Sequence, residues 1–402
     1  MAHGLLALLA LLLASLPATA EDIKFPKIDV RRPKADYSFI QKRISTASFS
    51  FDMEKRDGMQ MDFRNCDLTA YDLGDNQFMQ YAIFNSKTIF PKKLPEGFDY
   101  RENMELGKNP GLGVRMLHKR GITGKNIGIG IIDQSLLSEH REYADRLRLY
   151  EEIHCLDRSA SMHGPAVASL AAGKTVGVAP EADLYFIGQT NGERKPGGEF
   201  EFDLASIAQS INRLVEVNRQ LPAGRKIRVI SISLGLMPQF KGYEETMKAI
   251  AAADREGILV LSVGNDTVPV DGLGRAPSAD PEKTDSFTHG MMFTANGNGA
   301  GANILQVPMD SRTMADPNGD DVYYFSRVGG QSWIIPWTAG LYALACQVYP
   351  DVTPAIFREA ALSTANAITF KRDGKDYTLE KVVNPVRLMD KLGLMNTKAR
   401  GK

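Results

Sequence analysis

Four stretches of this chain, residues 126–132, 183–187, 227–233 and 257–263, are nearly unbroken apolar runs of strand length. A strand with one wet face alternates polar and apolar residues. A strand that is apolar throughout must be covered on both faces, as strands of a parallel sheet are. Helical patterns lie between the last three runs. Over residues 202–221, Leu204, Ile207, Ala208, Ile211, Leu214 and Val215 form one stripe at helical spacing. Residues 243–255 supply a shorter second crossover. Repeated β-α-β units with right-handed crossovers predict an α/β fold. The expected architecture is a doubly wound, mostly parallel sheet with helices on both faces, plus a small N-terminal extension.

The flanks read differently. Residues 5–16 are an apolar run that ends in Pro17-Ala18-Thr19-Ala20, the pattern of a signal peptide with a small-residue cleavage site. The run is shorter than the ~20 apolar residues that a bilayer requires. The expectation is an exported protein, secreted or periplasmic, with no membrane span once residues 1–20 are removed. Residues 21–105 form an N-terminal extension or prosegment. Within 61–75 they carry a short pentapeptide-like repeat, Met61-Asp-Phe-Arg-Asn, Cys66-Asp-Leu-Thr-Ala, Tyr71-Asp-Leu-Gly-Asp. Three units cannot stack into a solenoid, because each coil buries its face only against neighbours. The segment is therefore expected to pack locally on the main domain, and Pro91 and Pro95 read as a linker-like passage. Residues 106–394 hold the α/β domain and 395–402 a polar tail. With 48 basic and 48 acidic residues and no long run of one sign, nothing suggests a nucleic-acid surface. The three cysteines, Cys66, Cys155 and Cys346, do not make a disulfide framework, so the core must be mainly hydrophobic.

Four polar residues fall where such a sheet forms its sites. Asp133 and Asn265 stand just past the carboxyl ends of predicted strands, while His163 and Ser332 stand where helices begin. In open parallel sheets ligands bind outside the strand carboxyl ends, so the four converge on one rim. An acid, a base, an amide donor and a hydroxyl are the parts of a serine hydrolase. Each alone has a plainer use: a turn or cap aspartate, a capping histidine, a turn asparagine, an N-cap serine. Their order and joint placement outweigh those uses. Asp133 ends a buried strand, where a carboxylate is costly unless hydrogen-bonded. His163, at a helix start, sits where the dipole favours the neutral ring. Of the six histidines, His3 leaves with the signal, and His118, His140 and His154 lie in charged surroundings that suggest the surface. His289 is the rival base.

The segments around these residues resemble the subtilisin-type serine proteases, the subtilases, over residues 110–394. Ser332-Trp-Ile-Ile-Pro336-Trp-Thr-Ala-Gly340 is similar to the family's Ser-Met-Ala-Ser/Thr-Pro-His-Val-Ala-Gly. His163-Gly-Pro-Ala-Val-Ala168 is similar to its His-Gly-Thr-His-Val-Ala, followed by Val176-Gly-Val-Ala-Pro180. Ile230-Ser-Ile-Ser-Leu-Gly235 resembles the strand lining the specificity pocket, and Val383-Asn-Pro385 the closing segment. The resemblance implies an Asp133–His163–Ser332 triad, Asn265 at the oxyanion hole, and substrate contacts at Ser233, Leu234 and Gly235. It implies a protein or peptide substrate and a chemistry that requires no cofactor. Structural Ca²⁺ occurs in the family, and no ligands for it are assigned here. Residues 316–321 (Asp-Pro-Asn-Gly-Asp-Asp) offer oxygen atoms but miss the EF-hand spacing and read as a turn.

Departures from the pattern stand at Gln134, Gln331, Trp333, Ile334, Ile335 and Ala166. They surround the triad positions without replacing them. They leave a second reading open, in which the fold is kept as an inactive secreted binding or scaffold protein. Other hydrolase plans fit worse. An α/β-hydrolase needs a histidine after its nucleophile, and none follows His289. A chymotrypsin-like protease would be all-β, against the long helical patterns.

Overall fold

The computed structural model describes residues 25–46, 61–74, 77–264, 266–291, 303–372 and 374–400. The signal-type run and Asn265 lie outside them. From its N-terminal end the described chain runs through β1 (Lys27–Ile28), α1 (Ser38–Thr46), β2 (Met61–Asp62), β3 (Ala82–Asn85), α2 (Tyr100–Lys108) and α3 (Val114–Lys119). Strands and helices then mix: β4 (Gly128–Asp133), β5 (Leu147–Glu152), α4 (His163–Ala172), β6 (Asp183–Gly188), the hairpin β7 (Gly192–Arg194) and β8 (Phe200–Phe202), α5 (Ala205–Gln220), β9 (Ile227–Gly235), α6 (Tyr243–Arg255) and β10 (Leu259–Val263). The remainder adds β11 (Val270–Arg275), β12 (Phe287–His289), β13 (Leu305–Pro308), β14 (Arg312–Ala315), β15 (Tyr323–Ser326), α7 (Gln331–Val348), α8 (Pro354–Thr364), β16 (Asn366–Arg372), β17 (Lys375–Val382) and α9 (Pro385–Arg400).

The four apolar runs become β4, β6, β9 and β10 of a six-stranded sheet in the order β1-β5-β6-β4-β9-β10. Every neighbouring pair is parallel. Successive side chains point to opposite faces of a sheet, and here both faces are dry. Ile129, Ile131, Leu184, Phe186, Leu259 and Leu261 join the core built with α4 and α7. Ile132, Tyr185, Ile187, Ile230, Ile232 and Val260 join the core built with α5 and α6. The helix expected over 202–221 begins only at Ala205. Phe202 instead ends a hairpin strand paired to Gly192, with its ring stacked on Phe240 at 4.5 Å.

The N-terminal part is woven into this body. β1 pairs with β5 at the sheet edge, and Lys27 Nζ bonds Glu151 at 2.9 Å. β3 pairs with β15 to make a second sheet in the order β14-β15-β3-β2. Residues 61–74, which hold most of the repeat, form β2 and turns over a third core containing Phe63, Cys66, Leu68, Leu73, Phe84 and Phe325. The passage around Pro91 and Pro95 is packed, contrary to its linker-like appearance. Phe90, Phe98 and Tyr100 crowd around Phe84 with centroids 5.4, 6.1 and 6.3 Å away. Aromatic residues without helical or strand period leave no sequence signal of that packing.

His140 also corrects the surface expectation. It is fully buried, its Nε2 bonded to Val322 O at 2.9 Å. The charges beside it in sequence are drawn inward with it: buried Glu142 accepts from Thr175 and Tyr323.

Candidate active site

Asp133 is the last residue of β4, in the middle of the central sheet and at its carboxyl edge. The turn that follows leads the chain past the start of α4. Gly164, the second residue of α4, permits the approach. A Cβ there would stand 2.4 Å from Gln134 O and 2.6 Å from Ser135 O. His163 is thereby brought to the strand end, and its Nδ1 lies 2.6 Å from Asp133 Oδ1. The carboxylate only accepts, so Nδ1 carries the proton and a neutral ring leaves Nε2 as its basic nitrogen. Asp133 Oδ1 also accepts from Gln134 N at 2.8 Å, which answers the cost of a carboxylate in a dry strand end. The Asp133 side chain is 5% exposed and that of His163 20%.

Burial of the imidazole favours its neutral form, but the Asp133 charge and hydrogen bond outweigh it and raise the His163 pKa above 6.5. The helix-start expectation of a ring pushed toward neutrality does not hold, because a carboxylate in direct contact acts more strongly than a helix terminus.

Ser332 is the second residue of α7. Its Oγ lies 3.4 Å from Ser233 O, and Ser233 Oγ donates to Ser332 O at 3.0 Å. The end of β9 and the start of α7 are thus tied to each other. The Ser332 hydroxyl makes no hydrogen bond to His163 among the described residues, although Trp333, the next residue, packs on the His163 ring at 5.3 Å between centroids. Ser233, Leu234 and Gly235 are the half-buried last residues of β9. β4 pairs with β9 only as far as Ile232, so beyond that point β9 has no strand partner on its β4 side among the described residues. β10 ends at Val263, two residues before Asn265. His289, the rival base, lies elsewhere, on β12 with its ring edge-on to Phe370 at 6.5 Å.

Sequence reasoning did not find Ser161. Its Oγ accepts from His163 N at 3.0 Å and donates to Gln134 Oε1 at 2.5 Å. One residue that departs from the subtilase pattern therefore braces the start of α4. The signal, a serine two residues before a helix start, is too common to single out. Ile334 and Ile335 are buried in the core and Gln331 is exposed. In the turn at 316–321, Asp316 is buried and accepts from Asn318 N and Asn85 Nδ2. Among the described residues no three His, Cys, Asp or Glu side chains are grouped as a metal centre, and no helix is long and apolar enough to cross a membrane.

A sequence profile of the subtilase family matches residues 124–384. The chain is similar to Subtilisin-like protease PopC of Myxococcus xanthus, at 25% identity over 297 residues, 66% of this chain and 60% of that protein. It is also similar to Minor extracellular protease Epr of Bacillus subtilis, at 28% identity over 177 residues, 41% of this chain and 26% of that protein. The chain thus spans less than two thirds of either relative. A chain in the solved subtilase cytotoxin SubAB assembly shares the fold, with a TM-score of 0.51, 16% identity and coverage of 73% of this chain and 98% of that one.

Proposed function

This chain belongs to the subtilase family, and we propose that it is an exported serine endopeptidase in which Asp133, His163 and Ser332 form the triad and Asn265 assists the oxyanion hole. The observation that carries the reading is the 2.6 Å bond between His163 Nδ1 and Asp133 Oδ1, beside a helix start that presents Ser332. The family implies a protein or peptide substrate. An extended peptide lies along the unpartnered edge of β9 at Ser233, Leu234 and Gly235, where backbone groups bind it as an added strand.

Ser332 Oγ leaves Ser233 O and attacks the scissile carbonyl carbon while His163 Nε2 takes its proton. The imidazolium, held by Asp133, gives that proton to the leaving amine, and an acyl ester remains on Ser332. Water then repeats the sequence and releases the acid. The oxyanion of each tetrahedral intermediate is held by the Asn265 amide and the Ser332 backbone N–H at the start of α7, where the helix dipole also favours negative charge. These steps use side chains and backbone alone and call for no cofactor.

A fluorophosphonate probe is expected to label Ser332 in the wild type and to spare Ser332→Ala. Purified wild type should cleave a peptide library that Ser332→Ala leaves intact. Neither labelling nor cleavage would assign the fold to the inactive, binding role. Asn265→Ala should lower kcat by about 10²–10³, as removing such a donor does in a subtilisin. A loss under about tenfold would take Asn265 out of the oxyanion hole.

A further inference from the structure

The chain has two tryptophans, Trp333 and Trp337. Trp337 is fully buried in α7, where its indole N–H donates to Pro110 O at 3.0 Å. Trp333 is 7% exposed, and its indole lies against the His163 ring with planes inclined by 31° and centroids 5.3 Å apart. The imidazole is therefore held in two ways. Its edge is bonded to Asp133, and one face meets a flat apolar surface. A hydrogen bond weakens steeply only below about 120°, so the bond to Asp133 tolerates ring tilts beyond the ~10–20° within which a reacting group must be held. A packed indole face removes that tilt.

We propose that Trp333 is a positioning residue, whose indole fixes the tilt of the His163 imidazole so that Nε2 is aimed at Ser332 and screened from water on one face. The inference rests on His163 being the base of the proposed reaction. Asp133, on β4, is the charged group acting on the ring. Trp333 from α7 and Ser161 before α4 are uncharged.

Two replacements separate a flat face from mere bulk. Trp333→Phe keeps an aromatic face and should retain kcat within about threefold, whereas Trp333→Leu fills space without one and should lose about tenfold or more, a share of the ~10²–10⁴ that a positioned base supplies. KM should change less than about twofold in both, since Trp333 acts through His163 and not on bound peptide. A Leu variant as fast as wild type, or a Phe variant as slow as Leu, overturns the proposal.

Emission gives a readout that needs no substrate and survives if the Leu variant folds poorly. Imidazolium quenches a neighbouring indole more strongly than neutral imidazole does. Wild-type tryptophan emission should therefore fall as pH drops through the His163 titration. The change should persist in Ser332→Ala and vanish in His163→Gln and in Trp333→Phe, where Trp337 alone emits. A titration unmoved by His163→Gln overturns the contact. Failure of the hydrolase reading looks different: wild type cleaves nothing while the emission titration stays intact, and the positioning role then falls with the reaction it serves.

Discussion

At the scale of single residues, the contact between Asp133 and His163 sets a direction for pH. As the base of the proposed triad His163 works only when neutral, and its pKa is raised above 6.5 although burial opposes the rise. Peptide cleavage should therefore increase with pH through a midpoint above 6.5, measured as kcat/KM in dilute substrate. Asp133→Asn removes the charge that raises it, so the midpoint of the residual rate should move down. An unmoved midpoint would assign that titration to another group. The same shift links to folding: its stabilisation is complete below about 6.5, the unfolded value, and is lost as pH rises through the raised folded value. Asp133, His163 and Ser332 stand out in the sequence because each closes a strand or opens a helix in an apolar context, and the structure brings Asp133 and His163 together. The brace through Ser161 and Gln134 and the packing of Trp333 on His163 do not, since both join residues distant in sequence through side chains with no periodic pattern. Gly164 is another such residue. Its Cβ would press on two backbone oxygens of the turn after Asp133, so Gly164→Ala must shift that turn. It should cost about 1–3 kcal/mol in a urea melt, and cleavage should fall as the pair separates.

At the scale of elements, the two helices that carry His163 and Ser332 lean on each other. Gly340 of α7 sits where a Cβ would come within 2.8 Å of Ala171 O in α4 and 2.7 Å of the Val178 Cβ. Gly340→Ala should force α4 and α7 apart, costing about 1–3 kcal/mol by overpacking. Since the displaced helices hold the proposed base and nucleophile, kcat should drop further than KM changes; a melt lowered with kcat untouched would show that the site does not depend on this contact. The strands were legible for a simple physical reason. Apolar runs buried on both faces have few other homes, and β4, β6, β9 and β10 lie within two residues of their expected bounds. Helix starts were less legible. The stripe of α5 continues in sequence into Phe202, but pairing of β7 with β8 takes that residue out of the helix, and such pairing is set by tertiary contact and not by period.

At the scale of the whole molecule, the open question in the sequence is whether residues 21–105 are a removable prosegment or a fixed part. A removable segment should leave behind a surface that water can cover. Here it would leave β15 without β3, and Phe325 without Phe84, whose ring stacks on it at 5.2 Å. Buried Asp316 would lose Asn85, and Asn318 would lose the Ala35 carbonyl that accepts its amide at 2.6 Å. The central sheet would give up its edge strand together with the ion pairs of Lys27 with Glu151 and Arg32 with Glu152. Those half-buried pairs would lose their partners, and dry aromatic faces and unpaired strand groups are costly to uncover. We therefore expect the active protein to keep this segment, and to begin at Glu21 where residues 1–20 are removed as the proposed signal peptide. Intact-mass measurement of the probe-labelled protein checks this directly. A chain expressed from residue 106 should fail to give a cooperative melt or label with the probe. A labelled, active species starting near 106 would make the segment a prosegment after all, and would require that β15 and Phe325 find new cover without it.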